Sequence, residues 1–398
     1  MTDSSTTYDI LLRGGHVIDP ANNIDGVSDV GISDGKIAAV GPNLDASQSK
    51  RVLDVDGLYV TPGLIDIHTH AFSALDRGTN PRVPADQYAL PTGITTIVDC
   101  GSSGASTLGV FRDLVVTPTK CRVLAFVNIC SIGMIRDCEQ QVDNLKIETC
   151  AAAIEANRDF AIGVKSAHYY PPGWESIDHA VAAGKLANVP VMVDSRSYPT
   201  TRPYNELLLE HLRPGDFVTH MYRAFHPTLD ENGRVQPYIF EGRERGVLFD
   251  VGHGAAGFLW RNAVPSMEQG FYPDSISTDI HHGCYFFQRA NMPITMSKIL
   301  NLGMPLAEVV ERSTSIPAKL IGRPELGTLS VGAEADVAGL ALEEGEFPFV
   351  DSYRTVRMGT QRLDCRLTLR AGKVEWNSDA RGMPLWDSLP GDYMAQPV

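Results

Sequence analysis

The sequence predicts an α/β fold: a (β/α)8 TIM-like barrel carrying a small β-sandwich domain built from both chain ends. Residues 61–324 alternate short apolar runs with helix-length segments eight times, the pattern of parallel β/α units. The flanks, residues 1–60 and 325–398, are instead β-rich and punctuated by turns. Histidines, a lysine and aspartates end several of the eight runs, where a barrel of this kind places its chemistry.

The elements follow in order. Asp9-Ile10-Leu11-Leu12 leads to an expected turn at Arg13-Gly14-Gly15 and then to His16-Val17-Ile18-Asp19. Residues 27–32 and 37–40 flank Ser33-Asp34-Gly35-Lys36, and Asp-Gly between apolar runs is a hairpin signal. A further strand is expected at 52–55. The centre supplies eight candidate strands, at 64–68, 94–99, 123–128, 161–165, 189–194, 216–220, 247–251 and 275–279, each followed by room for a helix. Strand-like stretches return at 327–329, 335–340, 356–359 and 367–374. The two ends are therefore expected to pair into one composite β-domain beside a catalytic barrel of residues 61–324.

Composition excludes several classes of function. The 398 residues carry a net charge of −14, whereas nucleic acid demands a basic face. No window approaches the ~18 apolar residues of a membrane span. The start Met1-Thr2-Asp3-Ser4-Ser5 lacks the pattern of a secretory signal, and the seven cysteines include no Cys-x-x-Cys pair. These features point to a cytoplasmic protein with reduced thiols. The expected partner is a small-molecule substrate, with no nucleic acid and no membrane, in a homo-oligomer.

His68 and His70 end the run Thr61-Pro62-Gly63-Leu64-Ile65-Asp66-Ile67. On a strand, residues two apart face the same side, so both imidazoles can reach one metal ion. The bland alternative is a pair of buried, hydrogen-bonded histidines. Asp66 either orients a ligand histidine from behind or caps the strand end. Lys165 closes a buried run, where an ammonium is costly unless paired, and a salt bridge would satisfy it. His220 and Asp279 end later runs, and Asp279 could equally cap the next helix.

The order His-x-His, Lys165, His220, Asp279 resembles the amidohydrolase superfamily of metal-dependent hydrolases. Asn128-Ile129-Cys130-Ser131-Ile132-Gly133, Gly252-His253-Gly254-Ala255-Ala256, Ser277-Thr278-Asp279-Ile280-His281 and Thr295-Met296-Ser297-Lys298-Ile299-Leu300 look like its dihydroorotase-related deacetylase branch. Some members of that branch hydrolyse acetylated 2-hydroxy acids or N-acyl amino acids. The resemblance covers nearly the whole chain.

The resemblance implies a divalent metal, Zn with Mn as the alternative, in one or two ions. His68, His70, His220 and Asp279 would be ligands. Lys165 would react with CO2 to form a carbamate bridging two metals. Asp279 would also move the proton, and His253 would help polarise the scissile carbonyl unless it merely belongs to a glycine-flanked turn. One position departs from the family. Asp194 stands where the superfamily usually has a histidine for the second metal. It could ligate through oxygen, or pair with Arg196 or Arg202 and leave the second site lost. His168 is a substitute ligand, a substrate contact or a plain loop residue. Arg223 and Arg196 are candidates for a substrate carboxylate, unless they are solvated or ion-paired. Tyr169, Tyr170, Trp174, Phe286 and Phe287 could wall the pocket or belong to the core. The function implied is hydrolysis of an amide or ester of a small carboxylate-bearing acylated substrate. A cyclic-amide hydrolase of dihydroorotase or hydantoinase type is the alternative, followed by a non-catalytic homologue acting through assembly.

Overall fold

The computed structural model describes residues 8–72, 83–287 and 290–390, with the side chains of Arg136, Phe286 and Phe287 excepted. The ends of the expected composite domain, 1–7 and 391–398, and the two expected aromatic walls Phe286 and Phe287 lie outside that description.

Seven parallel strands form one sheet in sequence order: Leu64–Thr69, Ile94–Gly104, Arg122–Asn128, Ala161–Ala167, Val191–Asp194, Phe217–Val218 and Leu248–Phe249. The first three are buried along nearly their whole length, as strands covered on both faces must be. Helices such as Ile147–Glu155, Glu175–Leu186 and Pro237–Glu244 fill the connections. The expected strands at 216–220 and 247–251 shrink to two residues each. Beyond them the chain leaves β geometry, with His220 at φ +59° and Gly252 at +46°.

The eighth candidate, 275–279, is not a regular strand. It bridges both sheet edges, with Ser275 parallel to Asp250 and Ile280 parallel to Thr69. The carbonyls of Ser275, Ser277 and Thr278 accept from the N–H groups of Val251, His253 and Gly254 at 3.1, 3.2 and 2.9 Å. The N–H of Ile276 turns away to Arg312 O, and Asp279 has φ +46°, so the ladder is interrupted on both counts.

The chain ends share a second, mixed sheet. Its order is Lys373–Asn377, Val356–Arg370, Val337–Val350, Tyr59–Pro62, Ile10–Asp19, Ile24–Ser33 and Lys36–Gly41, with Val52–Asp54 also on Ile10–Asp19. The turn expected at Arg13-Gly14-Gly15 is a bulge within one strand, where the register against Ile24–Ser33 shifts between Leu12 and Gly15. The hairpin at Asp34-Gly35 forms as expected, both residues having positive φ. Residues 327–329 form no strand. This sheet has its own apolar core, in which Leu12, Val30 and Val60 meet Val337, Leu367 and Leu369 from the other end of the chain. Among the described residues no helix is long and apolar enough to cross a membrane.

Candidate metal centre

The ends of the parallel strands gather the polar residues. His68 and His70 leave the first strand on the same side, and Asp279 reaches them from the bridging segment. His70 Nε2 lies 2.9 Å and His68 Nε2 3.4 Å from Asp279 Oδ1. One donor atom from each of the three lies within 4.8 Å of the others, and all three residues are buried. Two imidazole nitrogens and a carboxylate oxygen are the donor set of a zinc-type site. The two N–O separations are close to the ~3.3 Å edge of a tetrahedron with bonds of about 2.0–2.1 Å, so the residues fit a divalent ion.

Hydrogen bonds set the tautomers. Thr219 Oγ1 donates to Asp250 Oδ2 at 2.8 Å and therefore accepts from His68 Nδ1 at 2.8 Å. That leaves the His68 Nε2 lone pair pointing into the site. Ser275 and Ser277 donate to the same Asp250 carboxylate at 2.6 and 2.7 Å. His220 Nδ1 donates to Gly252 O at 2.5 Å, which frees its Nε2 likewise. That nitrogen faces Asp194 Oδ2 at 3.3 Å and Asp279 Oδ2 at 3.9 Å. A lone pair held against two carboxylates needs a positive charge between them, either a proton or a metal ion. His70 Nδ1 meets Ser102 Oγ at 3.1 Å.

Burial, reinforced by the nearby Lys165 charge, pushes the His68 imidazole down to about 4, so it is neutral and able to ligate at neutral pH. Burial alone would raise the Asp279 carboxyl. His68, His70 and His220 outweigh it and hold the group well below the usual carboxylate range.

Lys165 is fully buried, and its Nζ donates to His68 Nε2 at 3.2 Å. Among the described residues no carboxylate lies within ion-pair distance of it, so the salt bridge that would have explained it does not form.

Asp194 has a partner, but neither arginine expected for that role. Arg202 is buried and spends its guanidinium on the carbonyls of Arg196, Pro171, Gly173 and Tyr169 at 2.8–3.2 Å. Asp194 Oδ1 instead takes Arg223 Nη1. Burial opposes ionisation of Asp194, while Arg223, His220 and His168 overcome it and hold the carboxyl low. Arg223 is thereby committed to a protein carboxylate. Arg196 is exposed and lays its guanidinium over the Phe225 ring at 4.4 Å. His168, half-buried and at φ +54°, stands between Glu139 Oε2 at 3.5 Å and Asp194 Oδ2 at 3.6 Å.

His253 turns away from the carboxylates. Its Nε2 is 2.6 Å from Lys298 Nζ, its Nδ1 is 3.0 Å from Gly254 O, and its ring stacks on Phe258. Both nitrogens are engaged, so the expected help in polarising a carbonyl has no free donor. The aromatic wall also differs from expectation. Tyr169 is buried with its hydroxyl on Glu175, Trp174 stacks on His211, and Tyr170 is exposed with its N–H on Gln140. Among the described residues Asp66 makes no ion pair with an imidazole ring. It accepts from the N–H groups of His68 and Thr278 and from the hydroxyls of Thr278 and Tyr88, tying the first strand to the bridging segment. Burial pushes its carboxyl up to about 7. Orientation of His68 falls instead to Thr219 and Asp250. Asp250 stood in the sequence near the end of the seventh apolar run, a position that could have drawn notice.

No family model matches the chain. It is similar to a deacetylase of Brucella anthropi, with 30% identity over 338 residues covering 80% of each chain. Two solved structures superpose on nearly its whole length. A crystal structure of an adenine deaminase has a TM-score of 0.83 at 26% identity, covering 92% of this chain and 99% of that one. A crystal structure of a dihydroorotase has a TM-score of 0.81 at 29% identity, covering 93% and 99%. With a buried His-His-Asp group at the strand ends and a deacetylase relative aligned over four-fifths of its length, the chain belongs to the amidohydrolase superfamily, in its dihydroorotase-related deacetylase branch, and is a hydrolase of that kind.

Proposed function

We propose that this protein removes an acyl group from a small carboxylate-bearing amide or ester. The observation that carries the reading is the convergence of His68 Nε2, His70 Nε2 and Asp279 Oδ1 in a buried site at the strand ends. A divalent ion held there, Zn or alternatively Mn, supplies a Lewis acid and brings the pKa of water toward about 7. His68, His70 and Asp279 would hold it. Lys165 would take up CO2: the ammonium first gives up a proton, the freed amine nitrogen bonds to the carbon, and a second proton leaves to solvent, so that a cation becomes a carbamate anion. A buried ammonium with no carboxylate beside it supports that step. Asp194 Oδ2 and His220 provide donors for a second ion, while Arg223 keeps Oδ1.

Asp279 presents two different oxygens. Oδ1 faces the two histidines, and Oδ2 lies toward His220. Asp279 takes the proton of the attacking water and returns it to the departing amine or alkoxide. Arg196 has no carboxylate partner among the described residues and is the cation assigned to the substrate carboxylate. Segment 275–280 closes the parallel sheet as the eighth strand of a barrel spanning 61–324, with 1–60 and 325–398 as its companion domain. The protein works in the cytoplasm as a homo-oligomer.

Metal analysis combined with a substrate panel tests the reading. The purified protein should hold one or two divalent ions per chain and hydrolyse N-acetyl amino acids or acetylated 2-hydroxy acids. Turnover confined to dihydroorotate or hydantoins would assign it to ring opening. A folded protein that binds no metal and turns over nothing would return it to a non-catalytic role.

A further inference from the structure

The loop Gly252-His253-Gly254 is packed against two of the site's residues. Gly252 O receives the Nδ1 proton of His220. A Cβ on Gly252 would lie 2.1 Å from Thr219 Oγ1, and one on Gly254 would lie 2.0 Å from Asp279 Oδ2. Both glycines have positive φ, +46° and +45°. The backbone of this loop therefore sets where His220 and Asp279 stand.

The far side of the loop is held by the other sheet. Strands Val337–Val350 and Val356–Arg370 form a long hairpin whose tip reaches the loop. Ser352 Oγ donates to His253 O at 3.1 Å and accepts from Phe258 N at 3.0 Å, and Ser352 N donates to Phe258 O at 2.9 Å. Trp260 donates from its indole to Phe349 O at 3.1 Å and from its backbone to Asp351 Oδ2 at 3.3 Å. Lys298 Nζ spans His253 Nε2 and Val350 O, both at 2.6 Å. Asp351 and Ser352 are buried in this contact.

We infer that the hairpin tip, residues 349–352, is part of the hydrolase site, and that Ser352 is a positioning residue that fixes the 252–254 loop and through it His220 and Asp279. The hydroxyl does what no apolar side chain of its size can do there. It reaches the carbonyls of His253 and Gly254, at 3.1 and 3.3 Å, and accepts from the N–H of Phe258, so it pins the loop against the hairpin. The inference rests on the metal-centre reading of those two residues. It adds that the composite sheet, not only the parallel one, sets the geometry of the centre.

Cobalt(II) substitution reads that geometry without any substrate, through the d–d absorption bands. Wild type and the variants Ser352→Ala, Ser352→Thr and Ser352→Cys are loaded with Co2+ and compared with Leu367→Ala, which opens a cavity in the second core far from the tip. Ser352→Ala and Ser352→Cys should shift the bands, Ser352→Thr should restore them, and Leu367→Ala should lower the melting temperature with the bands unmoved. On a substrate found in the panel, Ser352→Ala should lose up to ~10²-fold in kcat, the scale of a misplaced catalytic group, with KM nearly unchanged. Wild type that takes up no Co2+ would refute the metal centre itself. Wild type that binds Co2+ while the Ser352→Ala and Ser352→Cys bands match it, or while Leu367→Ala shifts them equally, would overturn the positioning role. Should Ser352→Ala fail to fold, Ser352→Cys and Ser352→Thr decide alone.

Discussion

Asp279 holds a backbone conformation that few non-glycine residues adopt, φ +46°, and His168 and His220 do the same at +54° and +59°. Three such residues at one group of strand ends mark a place where the surrounding structure over-determines the backbone, as functional sites do. Asp279→Asn keeps the size and one metal-facing oxygen but cannot accept a proton at neutral pH. The variant should fold, keep much of its metal and lose ~10²–10⁴-fold in kcat. Metal analysis beside steady-state kinetics checks this, and near wild-type turnover would return Asp279 to a capping role. A second residue predicts the pH response. Burial, then the Arg223 charge, pushes His226 down to about 3. The unfolded chain, with a pKa near 6.5, therefore binds more protons than the folded one between those values. Stability falls as pH drops, by about 2–3 kcal/mol from this group between pH 6.5 and 4.5. His226→Phe loses the bond to Ser195 O but should flatten that acid flank in urea melts. The histidines and the aspartate that gather at the strand ends were legible in the sequence because strand spacing and run ends are local. Their supports were not: Thr219 lies 151 residues from the histidine it orients, and Arg223 claims Asp194 across two strands.

Elements tell the same story at longer range. The first five parallel strands fall within a few residues of their apolar runs, except that Ile94–Gly104 extends five residues past the expected end. The extension is polar and glycine-rich, and it carries Ser102, the partner of His70. Runs six to eight become short strands or bridges, because His220, Gly252 and Asp279 bend the chain at the site. Apolar patterning records burial and is blind to that bend. The Gly252-His253-Gly254 loop makes the point testable. Gly254→Ala must hold a Cβ at φ +45° and 2.0 Å from Asp279 Oδ2. The αL conformation alone costs about 1–2 kcal/mol, and relief requires moving the carboxylate. Metal content and activity should therefore fall further than the melting temperature suggests. A Gly254→Ala protein with full metal occupancy would show that the loop yields without disturbing Asp279.

Across the whole molecule the two sheets are not independent. Tyr59–Pro62 pairs with Val337–Val350 in the mixed sheet and runs within two residues into the first parallel strand. Gly63 N donates to Asp336 O at 2.8 Å, Thr368 Oγ1 to Leu90 O at 2.7 Å, and Arg122 to Asp336 at 2.9 Å. Leu340, Phe349, Leu363 and Cys365 of the hairpin are buried in the larger core beside the parallel sheet. Removing both ends would bare that apolar surface, at roughly 25 cal/mol for each Å² returned to water, and would strip the hairpin from the 252–260 segment. An isolated 61–324 chain should accordingly be poorly soluble, bind a hydrophobic dye and hold little metal. Adding back 325–398 alone should not restore it, because Ile10–Asp19, which pairs with three other strands of the mixed sheet, comes from the other end. Co-expression of all three pieces is the arrangement expected to recover soluble, metal-loaded protein. A soluble, metal-loaded 61–324 would mean that the parallel unit shapes its centre without the second sheet, and the hairpin tip would then be an accessory to the site.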